Sequence, residues 1–554
     1  MSIADSEIAA RFAAANARAR AGAWGEAVAL YRDLIEAAPG FAPARVNLAA
    51  TLLAAREPAP SFEAAVEALE RFPGFAPAWA VLGEAAMVLG RPAVADAAFV
   101  RALGIAPDAS LWAKRGLALQ AQGEADAGRE AFLEARARAP ADASIASAAL
   151  FADHYDPLGT PADALARARA WPNPAPGAER PAPRDPDPER RLRVAYASPD
   201  FANHSCSYFL APLLAAHDRA AVEIFAYSDV AAPDGVTAAF RSLDLVWRDM
   251  TGRDDAAYLA QARADGIDVL VDCAGHTTGN RMGVFARRAA PVQATWLGYP
   301  GSTGLDTFDA RLVDAETDPD GTLASEPLVR VAGGFLAYLP PPYAPAPGPP
   351  PFARKGHVTF GSFNNLPKLN RRTLGLWARA VAPVAGARLL IKARGLEEAP
   401  AAERVRGLLS AAGLAPERVE LRGFVDGVEA HIALYGEIDI ALDPTPYNGT
   451  TTTCEALWMG VPVLTLAGDR HAGRVGVSLL TRAGLADLVA DTEEGFAARA
   501  AALSQDGARL AALRARLRAT LAASPLCDGR RLAREFETVY RTLWRRVVRG
   551  RPMV

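Results

Sequence analysis

Four consecutive threonines, Thr450, Thr451, Thr452 and Thr453, follow Asn448 and Gly449 at the end of the apolar run Ile438–Leu442, and Glu455 comes next after Cys454. The stretch reads as strand, turn and helix start. The first turn of a helix leaves main-chain N–H groups unpartnered and carries the positive end of the helix dipole. Threonine hydroxyls add donors there, and Gly449 admits a close backbone approach. Together they form a seat for a phosphate or diphosphate. Glu455, one turn in, suits a ribose hydroxyl. The plainer reading is a Thr-rich cap. Lys368 is the lone cation of an Asn-rich loop with Asn364 and Asn365, where an ammonium would stabilise charge growing on a departing diphosphate; its plain alternative is a solvated lysine. His204 and His276 stand in polar loops after strand-like runs. An imidazole titrates near neutrality and can take a proton from an acceptor hydroxyl. The residues leave open which of the two does so, and either could equally be a hydrogen-bonded structural histidine.

Such groups must be held by a scaffold, and the rhythm of the chain supplies one. Strand-like runs at Leu192–Ala197, Val222–Tyr227, Ile267–Asp272 and Pro291–Leu297 alternate with helical segments. The rhythm resumes at His357–Phe363, Arg388–Lys392, Arg418–Leu421, Ile438–Leu442 and Val461–Leu466. This alternation predicts parallel sheets covered on both faces, with ligands outside the carboxyl ends of the strands. The polar loops above are those strand-end loops. Upstream, Pro39, Pro73, Pro107 and Pro140 recur at a period of about 34 residues, each after apolar residues in helical phase. That period is the tetratricopeptide signature: helix pairs that stack into a superhelix with a groove for an extended polypeptide. A dimerisation or spacer role is the alternative. Two Pro-rich stretches, Pro172–Pro188 and Pro340–Pro351, punctuate the chain. The expected plan is therefore repeats over 1–150, a helical extension and linker over 151–189, α/β lobes over 190–345 and 352–526, and a helical tail over 527–554. In that tail Phe536, Tyr540, Leu543 and Trp544 share one face.

Bulk composition narrows the class. A 554-residue chain with 51% hydrophobic and 22% charged residues is globular and multidomain, and a formal charge of −3 gives no general pull toward nucleic acid or an anionic membrane. The four cysteines are dispersed without a CxxC pair, which suggests neither a disulfide framework nor a cysteine zinc site. Met1–Glu7 carries no leader-like pattern, and no 18-residue uncharged apolar run occurs, so a cytoplasmic protein without membrane insertion is expected. There is no G-x-x-x-x-G-K-[ST] and no G-x-S-x-G. The acidic pair in Asp318-Pro319-Asp320 carries little weight as a metal motif, and a helix start plus a lysine can hold a diphosphate without a metal.

These motifs, taken in order, resemble the O-linked N-acetylglucosamine transferase family, in its SPINDLY-like branch. The matching strings are Ser198-Pro199-Asp200 with His204, Gly275-His276-Thr277, Trp296-Leu297-Gly298-Tyr299-Pro300, Phe360-Gly361-Ser362-Phe363-Asn364-Asn365 with Lys368, and Pro446-Tyr447-Asn448-Gly449 with the threonines. Ser524-Pro525-Leu526-Cys527 closes the match, which runs over nearly the whole chain. The resemblance implies a GT-B architecture and an inverting, metal-independent transfer of a sugar to serine or threonine of a protein held by the repeats. It implies UDP-N-acetylglucosamine as donor and no cofactor. It also implies roles: Lys368 on the diphosphate, Thr451 and Thr452 as phosphate seat, Glu455 on the ribose, His431 beside the nucleotide and His204 facing the acceptor. The family's animal members carry a histidine where Thr450 stands and a lysine where Val428 stands. Both departures resemble plant SPINDLY proteins, which use GDP-fucose, and the layout also resembles bacterial flagellin-modifying transferases with nonulosonic acid donors. A non-catalytic repeat scaffold that senses a nucleotide sugar, and a small-molecule glycosyltransferase, are the competing readings.

Overall fold

The computed structural model describes residues 5–552, so the N-terminal reading made on Met1–Glu7 falls partly outside it. The chain divides into two units, Met1–Ile145 and Ala146–Val554. In the first, helices pair as Asp5–Arg20 with Trp24–Ala37, Ala42–Ala54 with Pro58–Arg71, Ala76–Val88 with Pro92–Ile105, and Ala109–Ala121 with Ala125–Arg138. The second helix of each pair stops just before Pro39, Pro73, Pro107 or Pro140, because proline can neither donate to the helix nor accommodate the preceding turn. Within the third and fourth pairs a glycine lies against an aromatic ring. A Cβ on Gly83 would stand 2.5 Å from Phe99, and one on Gly116 2.9 Å from Phe132. The repeat thus fixes helix separation with a small residue at the crossing.

The second unit holds two parallel sheets. The first contains β1 (Leu192–Ser198), β2 (Val222–Ser228), β3 (Val246–Asp249), β4 (Val269–Asp272), β5 (Val292–Thr295), β6 (Ala310–Val313) and β7 (Leu328–Arg330), in the order β3-β2-β1-β4-β5-β6-β7. The second contains β8 (Thr359–Ser362), β9 (Arg388–Lys392), β10 (Val419–Arg422), β11 (Ile440–Leu442), β12 (Val463–Leu466) and β13 (Val489–Ala490), in the order β10-β9-β8-β11-β12-β13. In both, strand order reverses beside the first strand, and that switch point opens a crevice at the carboxyl ends. The architecture is GT-B, two Rossmann-like lobes.

The two switch strands share a sequence and a bonding pattern. Ile267-Asp268-Val269-Leu270-Val271-Asp272 is echoed by Ile438-Asp439-Ile440-Ala441-Leu442-Asp443. The first Asp of each clamps the neighbouring strand. Asp268 accepts from Arg193 N–H at 2.8 Å, and Asp439 accepts from Thr359 N–H at 2.8 Å. The second Asp takes a threonine hydroxyl from the next strand, Thr295 to Asp272 and Thr465 to Asp443, each at 2.7 Å. Buried carboxylates are tolerated only when so bonded; here they pin register and present the loop that follows.

The final helix, Gly529–Val548, is capped by Asp528 and buries Phe536, Tyr540, Leu543 and Trp544, the face expected from sequence. It belongs to the first lobe. Tyr540 Oη meets Tyr196 Oη at 2.9 Å, Glu537 meets His217 Nδ1 at 2.7 Å, and Phe536 packs edge-on against Trp296. The lobes are further tied by Ser478 Oγ donating to Asp314 at 2.6 Å and Arg474 Nε donating to the Glu316 carbonyl at 2.7 Å. These bonds hold the two crevices toward each other.

Candidate active site

At the second switch point, β11 runs into Asp443 and a turn that delivers Thr451–Trp458, the eight-residue helix that follows. Asp443 is 2% exposed and accepts from Gly449 N–H at 2.6 Å. That bond folds the turn back so that the helix start faces the cleft. Thr450 caps the helix without a side-chain bond. The first N–H to close on the helix is that of Cys454, on the Thr450 carbonyl at 3.1 Å. The N–H groups of Thr451, Thr452 and Thr453 precede it and point out of the helix. Two hydroxyls are anchored: Thr452 donates to Asn364 Oδ1 at 3.1 Å and Thr453 to the Gly449 carbonyl at 3.2 Å. A Cβ on Gly449 would lie 2.4 Å from Thr452 Oγ1, so glycine is required by the close packing.

Lys368 arrives from the loop after β8, half-buried. Its Nζ donates to the Asn448 carbonyl at 2.6 Å and sits 3.9 Å over the Tyr447 ring. Burial lowers its pKa to about 8, with the Asp443 charge pulling the other way. Burial raises the Asp443 carboxyl to about 6. At neutral pH the lysine is charged, and it stands beside an open helix N-terminus. Asn365 is exposed and contributes its carbonyl, which accepts from Lys368 N–H at 3.0 Å.

One turn along the helix, about 6 Å away at 1.5 Å per residue, Glu455 accepts from Tyr435 Oη at 2.9 Å and from His431 Nε2 at 3.2 Å. Lys392, the last residue of β9, donates to His431 Nδ1 at 3.2 Å. An ammonium on Nδ1 leaves the ring proton on Nε2, pointing at Glu455. Burial lowers the Lys392 pKa, and Glu455 partly offsets this. The Phe363 ring lies tilted 4.6 Å from Tyr435 and 6.1 Å from His431, centroid to centroid. The result is an apolar wall with a carboxylate and a histidine beside an anion seat, which suits a nucleoside diphosphate.

Across the cleft, His204 lies in the loop after β1 with half its side chain exposed. Its Nδ1 sits 3.3 Å from Cys206 N–H and 3.4 Å from Asp200 Oδ1. The neighbouring Ser205 carbonyl accepts from Thr451 Oγ1 at 3.5 Å, so the histidine loop touches the helix start of the other lobe.

Two expectations are corrected. His276 is 1% exposed, with Nε2 on the Thr303 carbonyl at 2.8 Å and Nδ1 on Ser147 Oγ at 2.9 Å. Burial lowers its pKa to about 4. With both ring nitrogens taken and the ring enclosed by Trp171 and Tyr299, it offers no base; it is a structural histidine. The Asn448 side chain is likewise consumed. It is fully buried, donating to the Pro444 carbonyl at 2.9 Å and accepting from Gly476 N–H at 3.1 Å, so it shapes the turn and offers only its carbonyl, to Lys368. Lys392, Tyr435, Asn364 and Asp443 were not singled out by sequence. Lys392 and Asp443 end strands and were findable by that rule; Tyr435 is placed only by tertiary packing. Asp318, from the acidic triplet, pairs with Arg311 and His471.

The model of Glycosyl transferase family 41 matches residues 181–337 and 354–536, and that of the Myxococcota tetratricopeptide repeat protein family matches residues 3–79. SPINDLY of Petunia hybrida, named a probable UDP-N-acetylglucosamine–peptide N-acetylglucosaminyltransferase, is 43% identical over 370 residues, 66% of this chain and 40% of its own. SPINDLY of Arabidopsis thaliana is 42% identical over 370 residues, with the same coverage. The chain therefore spans about two fifths of the length of these curated relatives. The solved O-GlcNAc transferase of Thermobaculum terrenum is 36% identical with a TM-score of 0.86, covering 92% of this chain and 98% of that one.

Proposed function

The chain belongs to glycosyl transferase family 41, and from that premise we propose that it moves a sugar from a nucleotide diphosphate to a serine or threonine hydroxyl of a protein. The observation that carries this reading is the charged Lys368 on the turn that opens the Thr451 helix, with the Glu455–His431–Tyr435 group one turn away. The helix start and the lysine bind the diphosphate and stabilise the charge it gains on leaving, so the seat needs no metal. Glu455 receives the ribose and Phe363 flanks the nucleoside. The acceptor hydroxyl attacks the anomeric carbon from the opposite face, with inversion. His204, half-exposed at the cleft with Asp200 3.4 Å from its Nδ1, takes its proton. The repeats present the acceptor polypeptide.

UDP-N-acetylglucosamine is the donor we favour, since the relatives' names carry it. GDP-fucose is the second reading, supported by Thr450 and Val428 in place of the histidine and lysine of the animal branch. Purified protein tested with UDP-N-acetylglucosamine, GDP-fucose and a CMP-nonulosonate, by thermal shift and by intact mass of an acceptor such as flagellin, decides between them. Lys368→Met should lower transfer about 10²–10³-fold at unchanged melting temperature. Full activity in that variant would falsify the role given to the lysine. Binding without transfer under every acceptor tried would favour a scaffold that senses the nucleotide sugar.

A further inference from the structure

Among the described residues, Asp200, His204 and Cys206 are brought together so that one carboxylate oxygen, one imidazole nitrogen and the thiol sulfur all lie within 4.8 Å of one another. We propose that these three residues form a binding site for a zinc-class divalent cation, and that the cation shuts off transfer by taking the His204 imidazole. The regulatory half of this proposal rests on the role given above to His204; the binding half does not.

The chemistry of the donor set points to zinc. Nitrogen, sulfur and oxygen ligands suit a borderline-soft ion bound tetrahedrally, and three protein ligands leave one position open. Metal–ligand distances of about 2.0–2.3 Å place tetrahedral ligands roughly 3.3–3.8 Å apart, so side-chain rotation of about 1 Å closes the set. His204 Nδ1 and Asp200 Oδ1 are already at 3.4 Å. The three residues lie on one short segment after β1, so closure moves side chains and leaves the lobe in place. Cys206 binds as the thiolate, its proton released to solvent, and thiolate plus carboxylate balance the two positive charges. The segment includes Ser205, whose carbonyl meets Thr451 Oγ1 at 3.5 Å, so the cation would sit on the loop that touches the helix start of the other lobe. The sequence carries no signature for it, because Asp-x-x-x-His-x-Cys lacks the paired cysteines by which zinc sites are usually read.

The test uses the full chain, stripped by chelator. Cobalt(II) should give a thiolate-to-metal charge-transfer band at one equivalent, and zinc should displace it. Cys206→Ser should lose the band and weaken zinc, measured by competition with a chromophoric chelator, by at least about 100-fold, with unchanged circular dichroism. Zinc should inhibit transfer by the wild-type chain and spare Cys206→Ser, which retains basal transfer. Absence of the band, or equal zinc affinity in Cys206→Ser, overturns the site. A band without inhibition overturns the regulatory half. If no variant transfers sugar under any condition, the spectroscopic titration still decides the site while the transferase reading fails.

Discussion

The lysine in the anion seat makes donor binding a proton-linked event. Burial holds Lys368 at about 8 in the free protein, well below an ordinary lysine. A diphosphate landing on Nζ restores the charge, raising the pKa back to at least its ordinary value. The sign follows: the free protein has shed this proton above pH 8, and the donor complex takes it back, so affinity falls as pH rises through 8 and is flat below it. At pH 9 only about a tenth of the free lysine is charged, so the donor Kd should be roughly tenfold weaker than at pH 7 and lose about another factor of ten by pH 10. Titration calorimetry in two buffers of different ionisation enthalpy reads both quantities, with about half a proton taken up at pH 8 and nearly one at pH 9. Asp443, at about 6, is already ionised across this range. Any slope that arises from the nucleobase is shared by Lys368→Met, which should otherwise be flat. Equal slopes in the two proteins, or a wild-type affinity constant from pH 7 to 10, would refute the reasoning.

Three further outcomes follow from the geometry. His276→Ala removes two buried hydrogen bonds and should cost about 2–4 kcal/mol of stability, yet transfer per folded molecule should stay within a few-fold; a selective collapse of kcat would restore it as a catalyst. Glu455→Gln keeps an acceptor for Tyr435 but loses the charge, and calorimetry should show donor binding weakened about tenfold to a hundredfold. Gly83→Ala drives a methyl into Phe99, an overpacking of about 1–3 kcal/mol that exceeds the ~1 kcal/mol of helix propensity gained; a higher melting temperature would contradict it, and Phe99→Leu in the same chain should relieve the loss.

Legibility from sequence tracked how local each signal was. The prolines of the repeat and the threonine helix start declare themselves because proline geometry and helix capping act over a few residues. Long runs such as Leu192–Ser198 carry enough apolar residues to be read as strands. Val246–Asp249, Leu328–Arg330 and Val489–Ala490 are edge or near-edge strands of two to four residues, too short for any periodicity, and only pairing with a neighbour makes them strands. The end of the first unit at Ile145 has no compositional mark. Residue type alone could not separate His204 from His276. Both follow strands at one switch point, and what distinguishes them is that Ser147 and Thr303, distant in sequence, occupy both nitrogens of one and leave the other exposed. Tyr435 was invisible for the same reason: it acts through Glu455, from a different element.

The last helix gives the first lobe a history in time. Tyr196 waits for Tyr540, 344 residues later, and at about 5–20 residues per second a ribosome takes roughly 20–70 s to make that distance. Throughout that interval the face formed by Phe209, Leu213 and Trp296 lacks the cover that Phe536, Tyr540 and Trp544 provide in the finished protein. The second lobe can complete its own core before the chain ends; the first cannot. Order of synthesis and order of completion are therefore reversed, and the nascent first lobe is the part of this enzyme whose apolar face stays uncovered longest.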